Sequence, residues 1–402
     1  MRKFQRIVLV LAFGSLSLSA ADWPQWRGVN RDGKSAETGL LKQWPEKGPA
    51  LVWKAQGLGE GYASFAVVGS MLYTQGQRGS REYVMAFDVA NGKKLWEVDN
   101  GASFNESRGN GPRGAPTVEG ERLWAYSADG TISCLEIGTG RKIWQFNALG
   151  KFGGSIPPWG ISESPLIDGD RVIIVTGGSG ASVVALNKVT GETIWKSGND
   201  DVAYSSAILV ETGGIRQILT FTAEAAVGLR ADNGHPLWRY PRVANGTANI
   251  ATPVFSNGHA FYSSAYGTGA SLLRLTGDGK ASEVYFTREM KNHYSSSVLV
   301  GDTLYGFSDS ILTAMKMMTG DVAWRDRSVG KGSVILADGL LYCSGENGTV
   351  GLVEPSPAGY KERSRFSIEI GRFPMWTLPV VANGRLYIRD QDNLYAYDVR
   401  AR

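Results

Sequence analysis

The fold class this chain predicts is all-β, a β-propeller of eight small sheets around one channel, and three observations predict it. The first is a repeated turn and strand. Asp88-Val-Ala-Asn-Gly92-Lys-Lys-Leu-Trp96, Gly140-Arg-Lys-Ile-Trp144, Gly191-Glu-Thr-Ile-Trp195, Gly234-His-Pro-Leu-Trp238 and Gly320-Asp-Val-Ala-Trp324 each place an aromatic four residues after a turn glycine. Worn copies stand at Gly279 with Tyr285 and at Gly359 with Arg363. A period of roughly 40 to 50 residues built from short strands means a radial array of sheets. The second is composition: 52 Gly, 12 Trp and 16 Tyr in 402 residues, with no long helical period. Many tight turns between half-buried strands need that mixture. The third is that the two ends complement each other, as described below.

Taken in order, the chain opens with Arg2, Lys3 and Arg6, an apolar run from Ile7 to Phe13, and Ser19-Ala20-Ala21. This reads as a secretory signal peptide over 1–21 and implies a periplasmic or extracellular protein. The apolar run is short for a membrane span, so no integral span is expected after its removal. No Cys stands at the cleavage site, which argues against a lipid anchor. Residues 22–49 contain Trp23, Trp26 and Trp44 among turn residues, without strand alternation. They read as an ordered arm packed on the propeller rim, anchored by its tryptophans.

The propeller is expected over 50–402. Each blade starts with a small run that carries Ser, Thr or Pro, such as Gly61-Tyr-Ala-Ser64, Ala203-Tyr-Ser-Ser206 or His293-Tyr-Ser-Ser296. A strand follows, then in most blades a hairpin dipeptide such as Asn257-Gly258, Asp338-Gly339 or Asn383-Gly384, where Gly tolerates positive φ. Eight such starts leave roughly 44 residues per blade. The last blade, ending at Leu394-Tyr-Ala-Tyr-Asp-Val399, lacks a Trp strand, and a surplus one, Ala50-Leu-Val-Trp53-Lys, stands at the other end. Pairing the two closes the ring and removes an open edge. The recurrent tryptophans read as wedges between blades.

Charge and cysteine content narrow the function classes. The chain has 42 Lys and Arg against 38 Asp and Glu. Without the leader's three basic residues it is near neutral, and no basic run with interleaved aromatics marks a nucleic-acid partner. Cys134 and Cys343 read as buried thiols of separate blades. They form no zinc-spaced cluster and no haem attachment motif. The serines at 205, 206, 295 and 296 lack a nucleophile elbow, which argues against serine hydrolysis.

The repeat, best carried by Val84-Met-Ala-Phe-Asp88 through Trp96 and by Val184-Ala-Leu-Asn187 through Trp195, resembles that of the pyrroloquinoline-quinone (PQQ)-like propellers. The arm Asp22-Trp-Pro-Gln-Trp-Arg-Gly28 and the block 152–165 resemble secreted bacterial members of that group. The repeat is shared by quinoprotein alcohol and polyvinyl-alcohol dehydrogenases and by the propeller lipoprotein of the outer-membrane barrel-assembly machinery. The resemblance therefore implies two alternatives: an enzyme using PQQ and Ca²⁺, or a non-enzymatic scaffold. The adjacent cysteines, long insertions and catalytic Asp of the dehydrogenases have no counterpart here.

Loops entering the innermost strands ring the channel mouth. The candidate lining is Arg113, Trp159, Glu163, Tyr204, Asn249, Lys331 and Trp376, with Tyr62, His293 and Tyr294 beside them. Aromatic faces among charges suit a polar ring or a carbohydrate. Glu163 and His293 are the catalytic candidates and Glu163 with Asn249 the metal candidates; ion pairing of Glu163 with Arg113 and a channel His without chemistry are the plainer readings. With no cofactor assigned, the chain reads as a monomeric, secreted propeller that binds a protein or polymer through its channel-face loops. The alternative is a PQQ-dependent, Ca²⁺-assisted alcohol or polyvinyl-alcohol dehydrogenase.

Overall fold

The computed structural model describes residues 21–401. The expected leader lies outside these residues except for Ala21. Eight sheets succeed one another along the chain. Blade 1 spans 66–102, blade 2 117–147, blade 3 166–197 and blade 4 208–240. Blade 5 spans 254–287, blade 6 298–326 and blade 7 332–367. Blade 8 is formed by three strands of 380–398 and by Ala50–Ala55, which pairs antiparallel with Asn393–Asp398. The ring is closed as the end-matching predicted. One five-residue helix, Ala148–Phe152, is the only helix among the described residues, and none is long and apolar enough to cross a membrane.

The hairpin dipeptides act as read. Asp338 and Gly339 have φ of 46° and 78°, both left-handed, the pairing that lets a two-residue turn follow the strand twist. Strands alternate buried and half-exposed positions only at the blade edges. Central strands such as Arg171–Gly178 and Ala181–Asn187 are buried on both faces, because each sheet packs against neighbours on either side.

The repeated Gly and Trp meet across blades, not within them. Trp53 of blade 8 lies on Gly92 of blade 1, and Trp96 of blade 1 on Gly140 of blade 2. Trp144 lies on Gly191 and Trp195 on Gly234 in the same way. The indole N–H groups of Trp53 and Trp96 donate to the carbonyls of Val89 and Ile137, each at 2.9 Å. Tyr285 takes the part in blade 5: its ring covers Gly320 and its hydroxyl donates to Met317 O at 2.7 Å. The worn copy thus keeps the contact with another ring. Cys134 and Cys343 are free, buried thiols.

Only the later part of the arm reaches the outer edge, where Trp44 N donates to Ser364 Oγ on the outer strand of blade 7 and the Trp44 ring packs on Phe366; the earlier part, to Ser35, lies at the axis. First strands of neighbouring blades touch one another, so they ring the axis, and the arm touches these strands or the loops entering them nearly all the way round. Trp23 bridges Val67 of blade 1, and Val118 N of blade 2 donates to Pro24 O at 2.8 Å. Arg31 reaches the carbonyls of Ser164 and Pro165 at blade 3, and Arg27 those of Ser296 and Ser297 at blade 6. Trp26 Nε1 donates to Thr252 Oγ1 at blade 5. Lys34–Ser35 pairs parallel with Leu336–Ala337 on the channel side of blade 7, and Ser35 Oγ donates to Val381 O of blade 8. A segment that reaches these seven blades sits on the axis, as a hub. Arg27 and Arg31, of a residue type mostly found at the surface, are 1% and 3% exposed in this hub.

Candidate functional site: a blind cavity where all eight blades meet

The serines of the blade starts are fasteners. Ser64 Oγ donates to Leu378 O, joining blades 1 and 8, and Ala115 N to Ser164 Oγ, joining blades 2 and 3. Ser164 N donates to Ser206 Oγ, Ser205 Oγ to Ala251 O and Thr252 N to Ser296 Oγ. Ser295 Oγ then reaches Gly332 O at blade 7. Buried hydroxyls satisfy backbone groups that have no strand partner there. This fixes the loops at the channel mouth relative to one another.

Above this belt lies a cavity of about 400 Å³ to which every blade contributes. Blades 1 to 4 supply Tyr62, Arg113, Trp159 and Tyr204. Blades 5 to 8 supply Thr252 and Tyr266, His293 and Tyr294, Lys331, and Trp376. Trp26 of the hub also lines it, and the fully buried Arg27 follows, so the cavity is blind at the hub. Its rings form a continuous wall on one side: Tyr62 to Trp376 is 5.0 Å between centroids, Trp376 to Tyr294 5.6 Å, and Tyr266 to His293 5.1 Å. Opposite, Trp159 and Tyr204 lie 5.7 Å apart.

Of the residues expected from sequence, Arg113, Trp159, Tyr204, His293, Lys331 and Trp376 come together here. Arg113 is held by Glu106 at 2.9 Å and by the carbonyls of Gly109 and Gly111, with its guanidinium over Tyr62. It is a wall element with its charge balanced, and its partner is Glu106, not Glu163. Lys331 sits over the Tyr294 ring, 5.7 Å from the centroid, with no ion-pair partner among the described residues.

Glu163 and Asn249 do not line the cavity. Glu163 is 2% exposed and accepts the Val175 N–H at 2.5 Å. Burial pushes its carboxyl well above the usual range, with the Val175 N–H and the charge of Arg31 opposing. Asn249 donates to Thr222 O and Ala223 O and accepts from Asn245 N and Ser264 Oγ. A buried carboxyl already engaged by a backbone N–H and a fully engaged amide on different blades do not make a Ca²⁺ donor set. Among the described residues no cluster of three or more His, Cys, Asp or Glu could hold a metal.

His293 is the catalytic-base candidate that does line the cavity. Burial and then the charge of Lys331 lower its pKa to about 4, against a small opposing effect of Asp309. At neutral pH it is an unprotonated imidazole of low basicity, poorly matched to proton abstraction. We expect its ring signals to titrate near pH 4 in an NMR titration, and Lys331→Met to move that titration upward. The sign for stability follows: the unfolded chain binds this proton first, so His293 costs the fold stability as pH falls from about 6.5 toward 4.

Besides Ile250 and four Ser and Thr side chains, the lining residues that sequence reasoning missed are Trp26, Arg108 and Tyr266. Trp26 had a signal in its aromatic-rich arm motif. Arg108 and Tyr266 stand on loops outside the blade starts, where nothing in the repeat marks them.

A family model described as outer membrane protein assembly factor BamB matches residues 49–326. A BamB of Shewanella oneidensis is 24% identical over 213 residues, covering 52% of this chain and 51% of that protein. The chain thus spans about half the length of the curated relative it matches. Among solved structures, BamB from Moraxella catarrhalis aligns with TM-score 0.64 and 16% identity over 87% of this chain and 99% of that one. A quinohemoprotein alcohol dehydrogenase from Pseudomonas putida HK5 aligns with TM-score 0.66 and 11% identity, over 95% and 80% respectively. At such identities the two structures speak to the propeller fold alone.

Proposed function

The chain belongs to the outer membrane protein assembly factor BamB family, and from that footing we propose that it is a binding protein rather than a catalyst, engaging a protein partner with the loop face around its central cavity. The composition of the cavity carries the reading. Seven aromatic or imidazole rings from the blades, the Trp26 indole and cationic side chains line it, and no Asp or Glu does. The nearby acids are committed elsewhere, Glu106 to Arg113 and Glu346 to the Trp376 indole N–H at 2.9 Å. Such walls bury large rigid rings on contact at little conformational cost, as binding surfaces do. Oxidising an alcohol calls for a well-matched base and cleaving a glycosidic bond for a pair of carboxylates; this lining offers the weakly basic His293 and no carboxylate. In this reading the leader over 1–21 delivers the protein to the periplasm, where it serves cell-envelope assembly.

Two measurements test the proposal. Purified chain mixed with PQQ and Ca²⁺ is expected to keep no quinone absorbance through gel filtration and to reduce no dye with alcohols; quinone retention with turnover would replace the binding role by a dehydrogenase. A photoreactive phenylalanine analogue at Trp376 is expected to give an adduct of discrete mass in intact envelopes. The same analogue at Val284, on an outer strand and 45% exposed, should not. No adduct at 376, or the same adduct at both positions, removes the case for the loop face.

A further inference from the structure

Resting on that binding role, the geometry points to the chemistry of the partner's contact: the cavity takes the C-terminal end of a polypeptide, its last side chain among the rings and its carboxylate at Lys331. Four features converge. The cavity is blind at the hub, where Trp26 lines it, so a chain enters by its end and does not pass through. The walls are aromatic from both sides, which suits a flat apolar side chain. Lys331 and Arg108 face this space without ion-pair partners among the described residues, and no carboxylate lines it, so the space favours one negative charge.

The fourth feature is a way out. A groove of about 280 Å³ adjoins the cavity and shares Tyr204 and Thr247 with it. Ile156, Pro157 and Pro158 line one part of it, and backbone-rich 245–248 another. Ile156 is 49% exposed, an apolar side chain left in solvent. The same groove carries Asp201. The charge therefore changes sign along the path, from cationic in the cavity to acidic in the groove. A polyanion, such as an acidic polysaccharide, meets repulsion in the groove, and a small planar acid leaves the groove unused. A neutral or basic peptide with a terminal carboxylate matches both parts.

The test is fluorescence anisotropy with the full mature chain and an N-terminally labelled glycine-serine octapeptide ending in phenylalanine. We expect saturable binding, at least tenfold weaker for the C-terminal amide, and for Lys331→Met to erase the difference between acid and amide while the far-ultraviolet circular dichroism is unchanged. Glutamate four residues before the end should weaken binding relative to lysine there, and Asp201→Asn should remove that preference. Competition by unlabelled N-acetylphenylalanine at similar affinity would assign the site to a free aromatic acid instead of a chain end and overturn the proposal. Equal binding of acid and amide, or preferential binding of an oligogalacturonate, would overturn it too. If no peptide binds while the position-376 adduct still forms, the loop-face role stands and the terminal-carboxylate assignment falls.

Discussion

Arg27→Met is expected to lower the unfolding free energy by at least about 2–3 kcal/mol, since buried backbone carbonyls lose their charged donor. Arg27 sits at the axis, 1% exposed. Its guanidinium donates to Arg31 O and Asp32 O within the arm, and to Ser296 O and Ser297 O of blade 6. Burial lowers its pKa to about 10, with the charge of Asp32 partly offsetting, so it is still cationic at neutral pH. Methionine keeps much of the volume and supplies none of the donors, leaving buried carbonyls unsatisfied. Urea unfolding followed by tryptophan fluorescence measures the loss. Arg363→Met is the control: it removes an exposed ion pair with Glu354 and should change stability by no more than about 1 kcal/mol. Equal midpoints for the two variants would show that the hub does not hold the ring.

Gly140→Ala should cost about 2–4 kcal/mol, from left-handed backbone strain together with overpacking. Gly140 has φ 71°, and a Cβ there would stand 2.6 Å from Trp96 Cε3, far inside contact distance. The Trp96 ring cannot simply withdraw, since its N–H is fixed to Ile137 O. Gly120→Ala separates the two causes. It has φ 58° with nothing within 4 Å of the added carbon, so only the strain of about 1–2 kcal/mol applies. Thermal unfolding of the pair gives the packing contribution by difference. Equal losses would mean that the Trp–Gly contacts do not set the spacing between blades.

What was legible in the sequence is what repeats. Each blade solves the same packing problem, so Gly140 and Trp96 have counterparts at Gly92 and Trp53, and the count of eight with its closing strand follows. The blade-start residues were legible for the same reason: loops entering first strands must converge. The hub was not, because it occurs once and follows no period. Its arginines spend their donors on carbonyls contributed by distant parts of the chain, and that partnership leaves no local pattern. Glu163 and Asn249 misled because their residue types suit metals, whereas each side chain turns into the blade wall and serves backbone groups. Arg108 and Tyr266 lie on loops that differ from blade to blade.

The pairing of Ala50–Ala55 with Asn393–Asp398 has a consequence for how the protein is made. Ala50–Ala55 is made before every other strand of the blades and pairs with Asn393–Asp398, so its backbone edge stays unsatisfied until the other blades have been made. A nascent chain stopped short of residue 393 holds its early blades but no clasp, and such fragments are sticky, protease-sensitive species. Topology of this kind favours slow assembly, and closure of the ring waits on the arrival of Asn393–Asp398.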